Sequence, residues 1–351
     1  MRYNLHLVQD SHIINDFIIF NDENFRNNKH VYFLFLRKNK IKKLNKFLGR
    51  NDFKPFSFLN FILFIRLILS KENKILIHGL FDRILVPVFI LLPINYNNLY
   101  WFLWGADVYN DYYKNSLKHN LFCYFKKILI EKIKYVVTYL DGDTDFLKTH
   151  YNFNGSQLYS ILYNSNVFIN EVKESSTKNI NSTILIGNSS VPENNHLRVM
   201  KLISRLKDFK TTKILVPLSY GDFNYRTKVI DEGKVLFKNK FEPIIDMLQI
   251  NDYYNKIDKV DIAIFDHSYQ MAMGNIILLL GKGKAVFLNK DTSPFKFFNE
   301  NGIKVFDLNN FNSEFINKIM VQNWKLNNIK QIKKIFNQQN LVNQYSNIYR
   351  Y

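Results

Sequence analysis

Short apolar runs alternate with longer stretches of helical spacing along most of this 351-residue chain. Each run is long enough for one buried strand, and each intervening stretch is long enough for a helix that covers it. This alternation is typical of a parallel sheet with helices on its faces, so it predicts an α/β fold. The runs in the first half are YNLHLVQ (3–9), HVYFLFL (30–36), KILIHGL (74–80), NNLYWFLW (97–104) and KYVVTYL (134–140).

A second series of runs follows the polar stretch NVFINEVKESSTKNINS (166–182), which predicts a linker or an excursion between domains. Its members are STILIGNSS (182–190), TKILVPLSY (212–220), EPIIDMLQ (242–249), VDIAIFDH (260–267), KAVFLNK (284–290) and IKVFDL (303–308). We therefore predict two Rossmann-like domains, at 1–165 and 183–325, and a C-terminal helical tail (326–351) that packs back on the first. Such domains are expected to face each other across a cleft and to bind ligands beyond the carboxyl ends of their strands.

The composition narrows the class of partner. A net charge of +18 favours anionic partners, but the basic residues are spread along the chain, which argues against nucleic-acid binding. A single cysteine, Cys123, allows no internal disulfide and fits a reducing cytosol. The N-terminus has none of the features of a signal peptide.

The most apolar segment is FSFLNFILFIRLILS (56–70). It is too short for a membrane span and contains Asn60 and Arg66. A helix packed on a sheet is the favoured interpretation, and a helix lying on a bilayer surface is the alternative.

The loop in ILIGNSSVPENNHL (184–197) leads from a strand through Gly187 toward a helix that starts near His196. Free backbone N–H groups and a helix N-terminus are typical of a phosphate site. A capped βα loop, with Asn194 or Asn195 as the N-cap, explains the same residues equally well.

An acidic motif, YLDGDTDF (139–146), contains two carboxylates that resemble the Asp-x-Asp metal site of many sugar-nucleotide enzymes. The alternative, which we favour, is a helix capped by Asp143 or Thr144. The histidines form no HExxH pair, and the chain has no GxSxG elbow, so hydrolysis by a nucleophilic triad is disfavoured.

Five stretches, taken in order, resemble the bacterial TDP-Fuc4NAc:lipid II Fuc4NAc transferases of enterobacterial common antigen synthesis. They are HGL (78–80), WFLWGADVY (101–109), ILIGNSSVPENNH (184–196), VPLSYG (216–221) and FDHSYQMAMGN (265–275). The resemblance implies a GT-B glycosyltransferase that inverts the anomeric centre and needs no metal or other cofactor. The donor would be a dTDP-linked deoxyamino sugar, and the acceptor a lipid-linked or other cell-surface glycan at the cytoplasmic face of an anionic inner membrane.

The same resemblance suggests roles for individual residues. The candidate bases are Asp107, Asp10 and His78, with a helix cap as the equal alternative for Asp107. The N-terminal domain would bind the acceptor and the C-terminal domain the donor. The acceptor candidates are Trp104, Gly105 and Tyr109, and the donor candidates are Gly187, Asn188, Ser189, His196, Tyr220, Gln270 and Asn275. The alternatives are a non-catalytic sugar-nucleotide or glycan-binding protein of this fold, or a different GT-B enzyme.

Overall fold

The computed structural model describes residues 2–82, 85–113, 117–169, 182–206, 211–321 and 323–350. The chain forms two compact units: Met1–Val167 together with Gln338–Tyr351, and Phe168–Asn337. Most of the predicted linker (166–182), from 170 to 181, lies outside the described residues.

The described residues of the first unit form a seven-stranded sheet in the order β3-β2-β1-β4-β5-β6-β7, and every pair of neighbours is parallel. The strands are β1 (Asn4–Val8), β2 (His30–Leu34), β3 (Phe53–Pro55), β4 (Lys74–His78), β5 (Leu99–Phe102), β6 (Tyr135–Val137) and β7 (Ser156–Leu158). The helices that connect them are α1 (His12–Asn24), α2 (Phe58–Ile68), α3 (Leu85–Leu91), α4 (Ala106–Tyr113), α5 (Leu117–Lys132) and α6 (Asp141–Tyr151).

The described residues of the second unit form a six-stranded sheet in the order β10-β9-β8-β11-β12-β13, again parallel throughout. Its strands are β8 (Ser182–Ile186), β9 (Thr211–Pro217), β10 (Phe241–Ile244), β11 (Ile262–Phe265), β12 (Ala285–Leu288) and β13 (Phe306–Asp307). Its helices are α7 (His196–Ser204), α8 (Phe223–Phe237), α9 (Ile250–Asp258), α10 (Met273–Gly281), α11 (Ser293–Glu300), α12 (Ser313–Met320) and α13 (Lys325–Ile335). The predicted α/β architecture of two parallel sheets is therefore confirmed.

Helices cover both faces of the first sheet, which is why its strands read as nearly continuous apolar runs. On one face, Phe17 of α1 packs 4.6 Å from His78 between ring centroids. On the other, Phe64 of α2 packs 5.2 Å from Phe33.

The predicted tail is divided between the units, because α13 belongs to the second and α14 (Gln338–Arg350) belongs to the first. The Tyr345 hydroxyl of α14 donates to the Leu162 carbonyl over 2.7 Å, and the Tyr349 hydroxyl donates to Asn21 over 2.8 Å. The ammonium group of Lys74, a fully buried side chain in β4, donates to the Ile348 carbonyl near the end of the helix. The last helix is thus an integral layer of the first unit.

In the part of the chain that the structure describes, every helix is too short or too polar to cross a lipid bilayer.

Tyr345→Ala should destabilise the first unit by about 3–5 kcal/mol, because it removes a fully buried aromatic ring that contacts Phe17, Phe20 and Phe102. The measurement is urea unfolding followed by the fluorescence of Trp101 and Trp104 in a Trp324→Phe background, which reports on the first unit alone.

Asn347→Ala, an exposed position on the same helix, is the control and should change the free energy of unfolding by less than about 0.5 kcal/mol. Equal effects of the two substitutions would contradict the assignment of α14 to this core.

Candidate active site

The strand order of the second sheet reverses between β8 and β11, since the chain builds β9 and β10 on one side of β8 and then returns to its other side. In open parallel sheets, ligands bind at the carboxyl ends of the strands beside such a reversal. The residues there are Gly187, Asn188 and Ser189 after β8, and Asp266 and His267 after β11. Three of the predicted donor residues are therefore brought to this point.

The side chain of Asn194 connects the two loops at the reversal and is fully buried. Its amide nitrogen donates to Ser189, to the carbonyl at 3.0 Å and to the hydroxyl at 3.2 Å. Its oxygen is therefore the acceptor end, and it receives the Asn188 N–H at 3.1 Å and His267 Nε2 at 2.9 Å. It follows that His267 carries its proton on Nε2.

Both the backbone conformation at position 187 and the close packing around it require a glycine. Its φ of +63° is in the left-handed region. A β-carbon there would lie 2.6 Å from Asn194 Oδ1 and 2.7 Å from His196 Nε2. No larger residue fits without moving the buried Asn194.

His196 is the first residue of α7 and is fully buried. Its N–H donates to the Tyr225 hydroxyl at 3.1 Å, while neither ring nitrogen has a hydrogen-bond partner in the described residues. Burial lowers the pKa of His196 to about 4. Burial, with a contribution from His196, lowers the pKa of His267 to about 3, so both rings are neutral at pH 7.

The expected N-caps of α7 do not act as caps. Asn195 occupies the N-cap position in the left-handed conformation, without a side-chain capping bond, and its amide donates instead to the Asp266 carbonyl at 2.8 Å. The side chain of Asn194 accepts the N–H of Asn188, which lies eight residues before α7 begins at His196. The N–H groups of Asn188, Ser190 and His196 are all hydrogen-bonded within the unit, so this loop has fewer donors to offer a phosphate than the sequence indicates.

Tyr220 closes the outer side of the loop after β8. Its hydroxyl accepts from the Asn188 amide at 3.0 Å, and its carbonyl accepts both the N–H and the hydroxyl of Ser190 at 2.7 Å. Half of the Tyr220 side chain remains exposed. Its ring is therefore held in place and accessible, as a residue that contacts a ligand must be.

The N-terminus of α10, at the same edge of the sheet, has no side-chain cap. Helix α10 follows β11, and its N-cap residue, Ala272, has a φ of +56° and makes no side-chain capping bond. Gln270, just before it, is buried and its Oε1 has no partner in the described residues. Asn275, in the first turn, accepts from the Tyr253 hydroxyl at 3.0 Å. Among the described residues of the second unit, the buried polar atoms without a partner are Asn188 Oδ1, both ring nitrogens of His196 and Gln270 Oε1, so they are divided between the β8–α7 and β11–α10 connections.

One cation stands beside this loop. The Arg198 guanidinium donates to both oxygens of Asp266, whose side chain is only 3% exposed, while the Arg198 side chain is 61% exposed. Sequence reasoning did not select Arg198, and it considered Asn194 only as an N-cap of α7. Their common signal is position, since both lie in the segment that connects β8 to β9.

In the first unit, the carboxylate of Asp107 is buried, and the residue lies in the first turn of α4 rather than at its N-cap. Its two oxygens accept the N–H of Leu80 at 2.9 Å, the indole N–H of Trp101 at 2.7 Å and the N–H of Trp104 at 2.8 Å. Burial raises the pKa of Asp107, an effect opposed by the charge of Lys126 and by these three donors. A carboxylate that is 1% exposed and surrounded by donors has no path to an acceptor hydroxyl.

The three predicted acceptor residues differ in accessibility. Trp104 is half-buried, packs 5.9 Å from Phe81 and donates its indole N–H to the Tyr163 hydroxyl at 2.9 Å. Gly105 has a φ of +80° and precedes α4. Tyr109 is buried and its hydroxyl donates to Asp143 at 2.7 Å. Only Trp104, together with the partly exposed Phe81 that the sequence did not select, offers a surface to a ligand.

His78 is one member of a buried hydrogen-bonded chain. The Trp104 indole can only donate, so the Tyr163 hydroxyl accepts from it and donates to His78 Nδ1 at 2.7 Å. His78 Nε2 then donates to His6 Nδ1 at 2.9 Å, and His6 Nε2 donates to His30 Nδ1 at 2.8 Å. This sequence of donors places the proton on Nε2 in all three histidines.

Burial keeps these histidines neutral. It lowers the pKa of His30 to about 4 and that of His78 to about 3. Burial also lowers the pKa of His6 well below its usual value, and the neighbouring His30 and His78 contribute to that shift. With both ring nitrogens bonded and no exposure, His78 is not placed to remove a proton from a ligand.

Asp10 follows β1, which borders the reversal of the first sheet between β1 and β4. Its carboxylate accepts the N–H groups of Lys42 and Lys43 at 2.8 Å and that of Leu44 at 2.9 Å. It remains partly exposed, unlike Asp107 and His78. His12, two residues later, is exposed at the start of α1.

The acidic pair of the YLDGDTDF motif lies in the first turn of α6, whose N-cap is Leu140, so the expected cap by Asp143 or Thr144 is wrong. Asp141 accepts from the Gln157 amide at 2.9 Å, and Asp143 accepts from Tyr109. Among the described residues, no three His, Cys, Asp or Glu side chains lie close enough to hold a metal ion.

Asp107→Asn should destabilise the first unit by about 2–4 kcal/mol, because an amide nitrogen would face at least one of the three N–H donors. The measurement is the urea midpoint of the first unit. Asp145→Asn, an exposed position in α6, is the control and should leave it unchanged. Unchanged stability with loss of sugar transfer would instead support Asp107 as the base.

Acidification should destabilise the first unit between about pH 6.5 and pH 4. The folded pKa values of His6, His30 and His78 are lowered, so the unfolded state binds more protons, and stability present above about pH 6.5 is lost as the pH falls. Each histidine contributes a slope of about 1.4 kcal/mol per pH unit.

The check compares the free energy of unfolding at about pH 7 and about pH 5. His30→Gln keeps an acceptor for His6 and should reduce the loss by one histidine's share. Asn347→Ala, an exposed substitution that removes no titratable group, should not alter it. Equal losses in wild type and His30→Gln would refute this account.

The family model described as 4-alpha-L-fucosyltransferase, glycosyl transferase group 56, matches residues 22–350. A glycosyltransferase from Rickettsia africae is 13% identical, with 99% of this chain and 98% of that chain covered and a TM-score of 0.67. HepE from Anabaena, solved with UDP, is 11% identical, with 99% of both chains covered and a TM-score of 0.65.

WaaG, a glycosyltransferase involved in lipopolysaccharide biosynthesis, is 11% identical, with coverage of 99% and 98% and a TM-score of 0.61. At these identities the structural likeness establishes the fold, and the family match establishes the class of enzyme. The chain belongs to the 4-α-L-fucosyltransferase family of glycosyltransferases and has the GT-B fold.

Proposed function

We propose that this enzyme transfers a Fuc4NAc-like deoxyamino sugar from a dTDP-linked donor to a lipid-linked or other cell-surface glycan acceptor, with inversion and without a metal. It would act in the cytoplasm at the inner face of the cytoplasmic membrane, in a pathway like that of enterobacterial common antigen. The observation that carries the donor half of the proposal is the reversal between β8 and β11, where neutral polar groups surround an uncapped helix N-terminus. The family match supports the transfer of a deoxy sugar.

The diphosphate of the donor would bind at the N-terminus of α10, where unpaired backbone N–H groups favour negative charge. Gln270 and Asn275 would hold it from the loop and the first turn through the N–H groups of their side-chain amides, since their amide oxygens can only accept. Neutral donors of this kind stabilise the charge that develops on a leaving diphosphate without a metal ion.

The loop after β8 would form the other wall of the donor site. Gly187 allows the close approach of the buried Asn194, while Asn188 and Ser189 place their side chains beside the reversal. His196, whose ring is fully buried, would support this wall as a neutral imidazole rather than touch the donor. The half-exposed ring of Tyr220 is suited to stack on the base or the sugar.

For the acceptor, Trp104 and Phe81 offer an aromatic surface beyond β4 and β5, and Gly105 keeps that turn open. Tyr109 would support this surface through Asp143 rather than touch the acceptor. Asp10 is the proposed base, with exposed His12 as the alternative, since inversion needs one group that removes the acceptor proton while the hydroxyl attacks the sugar.

One observation favours a second candidate function, a non-catalytic sugar-nucleotide or glycan-binding protein. Asp107 and His78, two of the three predicted bases, are fully engaged in internal hydrogen bonds. A binder would keep nucleotide affinity but form no glycosidic bond, and neither Asp10→Asn nor His12→Gln would change its behaviour.

In a thermal-stability panel of dTDP, UDP, GDP and ADP, we expect selective stabilisation by dTDP that EDTA does not remove. Gln270→Ala should lower dTDP affinity by about tenfold, because it removes a buried polar contact at the α10 N-terminus. Gln249→Ala, exposed in the same unit, should leave the affinity unchanged.

The companion measurement is transfer of the sugar to a prenyl-diphosphate glycan, with the anomeric configuration of the product read by NMR. Retention of configuration, loss of dTDP stabilisation in EDTA, or preference for another nucleotide would each contradict the corresponding part of the proposal. Transfer lost in Asp10→Asn but not in His12→Gln would identify the base.

A further inference from the structure

Helix α2 has two apolar faces, and the first unit uses only one of them. Phe64 and Ile68 point into the core and are at most 1% exposed. On the opposite side, Leu59, Ile62 and Leu69 are 77%, 50% and 39% exposed, at spacings of three and seven residues that place them in one stripe. Packing on the sheet explains the first face and leaves the second without a function.

The outer stripe is part of a larger apolar surface. Phe58, at the start of the helix, is 76% exposed, and Phe56, just before it, is 41% exposed. The N–H of Phe56 donates to the Leu36 carbonyl at 3.0 Å, which joins the start of α2 to the end of the neighbouring strand segment. Leu36 is itself 37% exposed, so the surface continues onto the loop after β2.

A basic segment begins at the next residue. RKNKIKKLNK (37–46) contains six Lys or Arg residues and no acidic residue. All six cationic side chains are exposed, and none forms an ion pair with a described residue. Ile41 and Leu44 are buried, which fixes the segment to the unit and directs its charges outward.

The basic segment is held by Asp10. The N–H groups of Lys42, Lys43 and Leu44 all donate to that carboxylate, so the charged loop and the loop after β1 form one rigid piece. The start of the exposed apolar stripe, the basic segment and the proposed base therefore lie beyond the carboxyl ends of β1, β2 and β3, and α2 carries the rest of the stripe back toward the amino end of β4.

We propose that Leu36–Lys46, Phe56 and the outer stripe of α2 form a docking surface for an anionic phospholipid bilayer. Apolar side chains would enter the acyl boundary while the six cations meet lipid phosphates, and Arg66, exposed within the stripe, would extend to the headgroups. The inference rests on the proposed function only in that a lipid-linked acceptor would then be delivered beside Asp10.

Charge distinguishes a bilayer from the other occupant of such a surface, a second copy of this chain. A symmetric pair would bring the six cations of one copy against the six of the other. An anionic bilayer neutralises them and covers the apolar stripe at the same time.

The test is flotation of the full chain with vesicles of phosphatidylcholine alone or mixed with phosphatidylglycerol. Wild type should float with the anionic vesicles and be released by high salt. Lys40→Gln, Lys42→Gln and Lys43→Gln combined should lower binding on the order of a hundredfold, and Leu59→Ser with Ile62→Ser by at least about tenfold.

Matched controls come from exposed positions of the second unit. They are Lys228→Gln, Lys234→Gln and Lys238→Gln combined for charge, and Val235→Ser with Met247→Ser for apolar surface. The controls should bind like wild type. Circular dichroism and thermal unfolding of every variant confirm that each is folded.

Equal flotation of wild type and the surface variants, or equal binding to neutral and anionic vesicles, would overturn the proposal. So would sedimentation that shows the surface variants abolishing a dimer while flotation is unchanged. Stabilisation by dTDP, measured on the same variants, separates the two proposals. Loss of flotation with retained dTDP binding supports this docking surface. Flotation without dTDP binding refutes only the proposed donor.

Discussion

A single buried carboxylate organises the middle of the first unit. Asp107 accepts from the turn after β4, from a tryptophan within β5 and from the start of the turn that leads into α4. An unpaired buried donor carries a large desolvation cost, and this one carboxylate satisfies three donors at once. The position of Trp104, and through it the order of the histidine chain, depends on this carboxylate.

In the second unit, a neutral side-chain amide takes the place that the Asp107 carboxylate has in the first. Asn194 holds the loops after β8 and β11 together through both ends of its amide, and it does so with no net charge beside the expected diphosphate. The two hubs lie at the carboxyl ends of the strands, where irregular backbone must bury its polar groups. The polar side chains of Asp107 and Asn194 are therefore used in hydrogen bonds that hold the loops together. The groups available to a ligand belong to neighbouring residues.

The architecture of the first unit could be predicted from the sequence because helices cover both faces of its sheet, which makes strands such as ILIHG and VVTYL readable as apolar runs. The short edge strands escaped this reasoning. Phe53–Pro55 contains a lysine and a proline, and Ser156–Leu158 is mostly polar, because an edge strand is buried on fewer sides. Local spacing placed Asn195 at the N-cap position of α7, but it could not place the N-cap of α6 or show where the side chains of Asp143 and Asn194 bond, since their partners are distant in the chain. The accessibility of Asp107, Asp10 and His78 depends on such distant contacts, which no local motif records.

The return of α14 to the first unit has a consequence for biosynthesis. The second unit is one continuous segment and can reach its final contacts as it leaves the ribosome. The first unit cannot, because the helix that covers His6, Phe17 and Phe102 is translated only after the whole of the second unit. Until then, one face of an aromatic sheet is exposed to water, and chaperones can bind it throughout the synthesis of the second unit.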